Sequence, residues 1–311
     1  MRIVFMGTPD FAVPSLEALI EENYNVVGVF TQPDRPKGRG KKLAMPPIKE
    51  KALEHNLQVF QPSSLKDIKT VELIKEMNPD VIVVVAYGQI LTKEVLEIPA
   101  LGCINVHGSL LPKYRGAGPI QWAIIHGEKT TGITTMYMEE GLDTGDMILK
   151  EEVSIGENET AGELYHRLAL VGGDLLKKTL IQIRQGNAPR EKQREELSSY
   201  APMLTKELGE IQWHKTAEEI HNLIRGTIPW PMSYTTYLGK TMKIWKSSVM
   251  TDEISHEPGK IVEVLKDKIY VATGKDLLVI EEVQFSGGKR LSVKDFLVGN
   301  TIEKNVVLGR G

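Results

Sequence analysis

Val81-Ile82-Val83-Val84-Val85 is apolar at every position. A strand with one wet face alternates apolar and polar side chains. A strand buried on both faces does not, and that is the mark of the middle of a parallel sheet. Working outward, Arg2 to Gly7 and Asn25 to Phe30 read as neighbouring strands. Between them Thr8-Pro9-Asp10 forms a turn, and Asp10 can cap a helix with apolar positions at Phe11, Val13, Leu16, Leu19 and Ile20. A helix is predicted near Pro47 to His55, a short strand at Val59-Phe60 and a helix over Leu65 to Met77. Strands alternating with helices predict an α/β fold with a doubly wound, mostly parallel, Rossmann-like sheet. Ligands of such sheets bind beyond the carboxyl ends of the strands.

The next strand leads to such an end. Gly102-Cys103-Ile104-Asn105-Val106-His107-Gly108-Ser109-Leu110-Leu111-Pro112 starts apolar and breaks into a loop containing Gly and Ser. Alternation along the strand sends Asn105 and His107 out of one face together. An amide beside an imidazole can donate hydrogen bonds to a developing oxyanion and move a proton. Thr131 to Met138 reads as a strand delivering a second polar cluster, Gly141-Leu142-Asp143-Thr144-Gly145-Asp146. Asp143 is the natural partner to orient or charge the imidazole. Taken alone, a His at a strand end is more often structural than catalytic. Asp143 and Asp146 without a nearby His make a weak metal-ligand set, so no metal is expected.

Composition narrows the class. The 311-residue chain has room for two domains; 41% of it is hydrophobic and 25% charged, with a net charge of −3. Nucleic-acid binding would need a local basic patch. The single cysteine, Cys103, excludes an internal disulfide and a cysteine-rich zinc site. It sits in an apolar strand and reads as a small buried residue rather than a nucleophile. No apolar run approaches the ~20 residues of a membrane span, and no secretory leader is visible, so a cytoplasmic protein is expected. The first turn, Gly7-Thr8-Pro9-Asp10-Phe11-Ala12, lacks the G-x-G-x-x-G spacing, which disfavours a nicotinamide enzyme.

The run NVHGSLLPKYRGAGPIQWAI (105–124) followed by GLDTGDMI (141–148) resembles the folate-dependent formyltransferases, as does FMGTPDFAVPSL (5–16). The resemblance covers nearly the whole chain. It implies transfer of a formyl group from 10-formyltetrahydrofolate to an amine, with Asn105, His107 and Asp143 as the catalytic trio. It places Ser109, Leu110, Leu111 and Pro112 at the border of the folate site. It also implies that Ile90 and Leu91, in Tyr87-Gly88-Gln89-Ile90-Leu91, help line the pteridine pocket; from the residues alone they could equally start a helix.

Thr31 to Lys51 interrupts the α/β pattern. It carries Arg35, Lys37, Arg39, Lys41, Lys42, Lys49 and Lys51 against Asp34 and Glu50, a local charge of +5. Pro33, Pro36, Gly38 and Gly40 predict a flexible loop, mobile without its partner. A solvated surface loop would look the same. QPDRPKGRGKK (32–42) resembles the insertion that marks the methionyl-tRNA formyltransferases within the family. That implies contacts to the acceptor end of initiator Met-tRNA by Arg39, Lys41 and Lys42, and a role in translation initiation.

Residues 1–189 are expected to form the catalytic domain and 190–206 a polar linker. Residues 207–311, with short strands and hairpin turns, are expected to form a smaller OB-like β-barrel that binds tRNA. Lys and Arg number 14 there, as do Asp and Glu, so a binding face must be one-sided. Pro229-Trp230-Pro231 resembles a family motif preceded by Asn where this chain has Ile228, and Trp230 is expected to pack the domains together. A monomer is expected. Two other functions share parts of the pattern: a sister formyltransferase acting on a small amine, and a tRNA-binding protein without catalysis.

Overall fold

The structure is a computed structural model that describes residues 1–37, 42–253 and 256–309. It divides into two compact units. The first comprises Met1–Gly116, Thr130–Ser154 and Tyr165–Ala201; the second comprises Ala117–Lys129, Ile155–Leu164 and Pro202–Gly311.

The first unit is built on a seven-stranded sheet. Its strands are β1 (Arg2–Gly7), β2 (Asn25–Phe30), β3 (Val59–Phe60), β4 (Val81–Val85), β5 (Cys103–His107), β6 (Thr130–Tyr137) and β7 (Met147–Ser154). The order across the sheet is β7-β6-β5-β4-β1-β2-β3. The pairs from β5 to β3 are parallel, and β6 and β7 add antiparallel edges. All five residues of β4 are buried, as its unbroken apolar run requires. The chain winds outward from β1 in one direction and from β4 in the other. A crevice therefore opens between their carboxyl ends, the usual ligand site of such sheets. Helices Val13–Glu21, Pro47–Glu54 and Ile68–Glu76 connect the early strands. A long helix, Ala161–Gln185, is tied to β6 by the buried pair Thr135 Oγ1 and Thr179 Oγ1, 2.8 Å apart.

Two expectations are corrected. The basic segment is not all loop: Arg35–Lys37 pairs antiparallel with Lys42–Ala44. Backbone pairing outweighs the breaking effect of Pro36, which the edge of a two-stranded ribbon tolerates. Ile90 and Leu91 do not start a helix; the next one is the single turn Lys93–Leu96. Trp230 is half exposed.

The second unit carries a six-stranded antiparallel sheet. Its path runs Tyr234–Tyr237, Lys240–Met250, Leu277–Phe285, Ile269–Ala272 and Ile261–Val264, with Leu291–Ser292 added on Leu277–Phe285. Register shifts on either side of Trp245 and Lys246 bend the longest strand, so the sheet curls into a half-barrel. Ile244, Val271, Leu278, Ile280 and Val283 fill its inside with Ile220 and Ile224 of helix Ala217–Gly226. That helix starts with a capping box between Thr216 and Glu219. No helix among the described residues is long and apolar enough to cross a membrane.

His221 on this helix is held at both nitrogens. Nε2 lies 3.4 Å from the Glu157 carbonyl, which can only accept, and Nδ1 lies 3.0 Å from Ser247 Oγ. Burial, with Arg225 nearby, holds its pKa below the usual value against the pull of the Glu157 carbonyl, Glu281 and Glu218. The unfolded chain then takes up a proton near pH ~6.5 that the folded chain takes up only at lower pH, so stability is lost as pH falls below that value. We predict that His221→Gln reduces the stability lost between about pH 7 and about pH 5, measured as urea midpoints across that range; an unchanged pH slope would refute it.

Candidate active site

β5 delivers Asn105 and His107 to one place, and both side chains are nearly buried. His107 Nε2 lies 3.0 Å from the Tyr114 carbonyl oxygen. A carbonyl only accepts, so Nε2 carries a proton and donates it there. Nδ1 faces Asp143 Oδ2 at 3.6 Å, an ion-pair distance but too long for a hydrogen bond. Asn105 donates from Nδ2 to Asp143 Oδ1 at 3.3 Å. The amide has two N–H bonds, so one remains for another acceptor.

Asp143 is held from several sides. Its side chain is 13% exposed, and Oδ2 accepts from the Gly116 backbone N–H at 2.8 Å. Its backbone is left-handed, with φ +52°, a conformation that Asp adopts more readily than most residues. Gln193 Nε2 donates to the carbonyls of Asp143 and Gly145, at 2.7 and 2.9 Å. The three expected catalytic residues therefore meet. The Tyr114 carbonyl, the Gly116 N–H and Gln193 join them unforeseen. The first two are backbone groups, which leave no trace in residue type. Gln193 lies in the stretch that reads as a polar linker.

The loop after His107 turns inward. Ser109 is fully buried and donates to the Lys113 carbonyl at 2.6 Å. Leu111 packs with Met136 and Met147, while Leu110 and Pro112 are half buried. Leu91 is 4% exposed and Ile90 81% exposed. Cys103 is buried, which pushes its thiol up to about 12, so the thiolate is absent at neutral pH. Arg39 and Lys41 fall outside the described residues; the Lys42 backbone pairs with Lys37. At the sheet crevice lies a cavity of about 400 Å³, bordered by Thr8, Gln32, Arg35, Met45, Tyr87 and Gly88.

Comparison with known proteins places the chain in a family. The family model described as Formyl transferase matches residues 1–180, and that of the Formyl transferase C-terminal domain matches residues 203–301. A methionyl-tRNA formyltransferase of Alkaliphilus metalliredigens is 62% identical over 309 residues, covering 99% of this chain and 98% of its own length. The chain belongs to the methionyl-tRNA formyltransferase family. The family's protein from Clostridioides difficile is 58% identical, covering 99% of this chain and all of its own. Among solved structures, an N-formyltransferase from Helicobacter canadensis, in complex with folinic acid and dTDP-3-aminofucose, shares the fold. Its TM-score is 0.69 at 21% identity, over 93% of this chain and 99% of that one.

Gly116 has φ +110°, and a Cβ there would sit 2.7 Å from the Ala201 carbonyl oxygen. Gly116→Ala must therefore move the backbone whose N–H holds Asp143. We predict a fall in turnover on the order of tenfold or more, because small displacements of a reacting group are costly. Wild-type turnover in the purified variant would contradict this role of the Gly116 N–H.

Proposed function

We propose that Asn105, His107 and Asp143 carry formyl transfer from 10-formyltetrahydrofolate to the α-amine of methionine on initiator Met-tRNA. Formylation of initiator Met-tRNA is this chain's function, by its identity over full length to the methionyl-tRNA formyltransferases. The observation that carries the site assignment is that one nearly buried carboxylate contacts both the amide and the imidazole. In this mechanism the neutral amine attacks the formyl carbon. The second N–H of Asn105 and the Nδ1–H of protonated His107 stabilise the oxyanion that forms. Asp143 supports the charge on His107 and helps take the proton released by the amine. As the intermediate collapses, the bond to N10 of the folate breaks, and His107 or a relayed proton supplies the hydrogen that N10 takes up.

Ser109 to Pro112, with Ile90 and Leu91, are assigned to the folate. An apolar side chain as uncovered as Ile90 suits the face of a flat aromatic ring. Arg39, Lys41 and Lys42 are assigned to tRNA phosphates. Residues 1–189 are taken as the catalytic domain and 207–311 as a tRNA-binding domain, joined by 190–206. The whole trio comes from one chain, so a monomer suffices, acting in the cytoplasm during translation initiation.

Asn105→Ala or His107→Ala is expected to lower kcat by on the order of 10²–10³, the usual effect of removing an oxyanion donor. Transfer to charged initiator Met-tRNA is the assay, and near wild-type turnover in either variant would sink the assignment. Replacing Arg39, Lys41 and Lys42 together with Ala should raise KM for Met-tRNA and flatten its dependence on salt, since each lost phosphate contact lowers the salt slope by about one. An unchanged KM and salt slope would remove these residues from the tRNA interface, and a salt-independent wild-type KM would favour a small amine substrate.

A further inference from the structure

We propose that Gln193 is a positioning residue for formyl transfer, and that residues 190–201 are a strap holding the two site loops together. The proposal rests on the assignment of Asp143 above. Gln193 uses all of its polar atoms on the site. Its Nε2 donates to the carbonyls of Asp143 and Gly145, and its Oε1 accepts from Arg115 Nε at 3.0 Å. It is half buried among mostly exposed neighbours. One amide therefore joins the loop that carries Asp143 to the loop whose Tyr114 carbonyl holds His107 and whose Gly116 N–H holds Asp143.

The rest of the strap acts on the same two loops and on the ends of β6 and β7 that flank one of them. The Arg190 guanidinium lies 3.7 Å above the centre of the Tyr137 ring and 3.5 Å from the Asp146 carboxylate. Glu191 and Met147 exchange both backbone hydrogen bonds. Glu195 accepts from Arg115 Nη1 at 2.9 and 3.1 Å. Ser199 Oγ accepts from the Tyr114 N–H at 2.9 Å, and the Ser199 carbonyl accepts from the Arg115 N–H at 2.9 Å. Tyr200–Ala201 then pairs parallel with Arg115–Gly116. Neither of the two site loops is a strand of the main sheet, so side chains and strap backbone must fix their separation. Gln193 never reaches the reacting atoms; it sets where Asp143 stands relative to Asn105 and His107.

The test uses the full-length chain and steady-state transfer to initiator Met-tRNA. Gln193→Met keeps the volume and deletes the hydrogen bonds. Gln193→Glu keeps an acceptor for Arg115 but sets a carboxylate against two carbonyls. Either variant is expected to lower kcat by about tenfold to a hundredfold, as misplacement of a reacting group does. KM for both substrates should stay within about threefold, because substrate contacts are untouched. In an Asp143→Asn background the same substitutions should cost little more, since both act through one carboxylate.

Wild-type kcat in a folded Gln193 variant would overturn the proposal, as would an equal loss in both backgrounds. Loss of fold in both variants, read by circular dichroism at the assay temperature, would also overturn it and make Gln193 a stability residue. Wild-type kcat in Asp143→Asn alone would instead overturn the reading of Asp143. A loss there with none in either Gln193 variant leaves Asp143 standing and removes only the strap.

Discussion

A carboxylate withdrawn from water must be given donors, and the first unit is arranged around that demand at Asp143. An ionised group this far buried is costly unless its oxygens are hydrogen-bonded or paired. The Gly116 N–H and the Asn105 amide supply bonds, and the His107 ring nitrogen supplies a site for positive charge. These groups come from β5 and the loop after it, and Asp143 itself from the loop between β6 and β7. Satisfying one side chain thus brings together segments that are distant in the chain. The sheet does the coarse placement. Antiparallel pairing of His107 with Thr134 and of Ile104 with Tyr137 lays β6 along β5, so that β6 leaves the sheet at Tyr137 beside Ile104, the neighbour of Asn105.

The tautomer of His107 follows from the same geometry. A backbone carbonyl at Nε2 requires that nitrogen to carry a proton. The imidazole is oriented by Tyr114, while the Asp143 carboxylate stands 3.6 Å from Nδ1, beyond hydrogen-bond distance. The sequence-based expectation named Asp143 to orient or charge the imidazole. In the structure a backbone carbonyl orients it.

The parallel sheet was legible because Val81–Val85 has no polar position and because strands and helices alternate on either side of it. The meeting of Asn105 and His107 was legible from a two-residue spacing on a strand. Asp143 was legible from its motif rather than from any periodicity. What escaped was set by backbone: the Tyr114 carbonyl, the Gly116 N–H and the hairpin that pairs Arg35–Lys37 with Lys42–Ala44. Gln193 escaped for a different reason. A polar segment without periodicity looks like solvent-exposed chain, and most of its neighbours are exposed. Its one inward-facing amide carries no local signature.

The strap also has a direction in time. It lies between the stretches matched by the two family models, at 1–180 and 203–301. A nascent chain that has emerged only as far as residue 189 already contains Asn105, His107 and Asp143. It lacks every contact from residues 190 to 201. On the strap proposal, the separation of the two site loops is set late in synthesis, once the segment leading to the second unit has left the ribosome. The piece of chain that looks most like a spacer would then be the last to join the site.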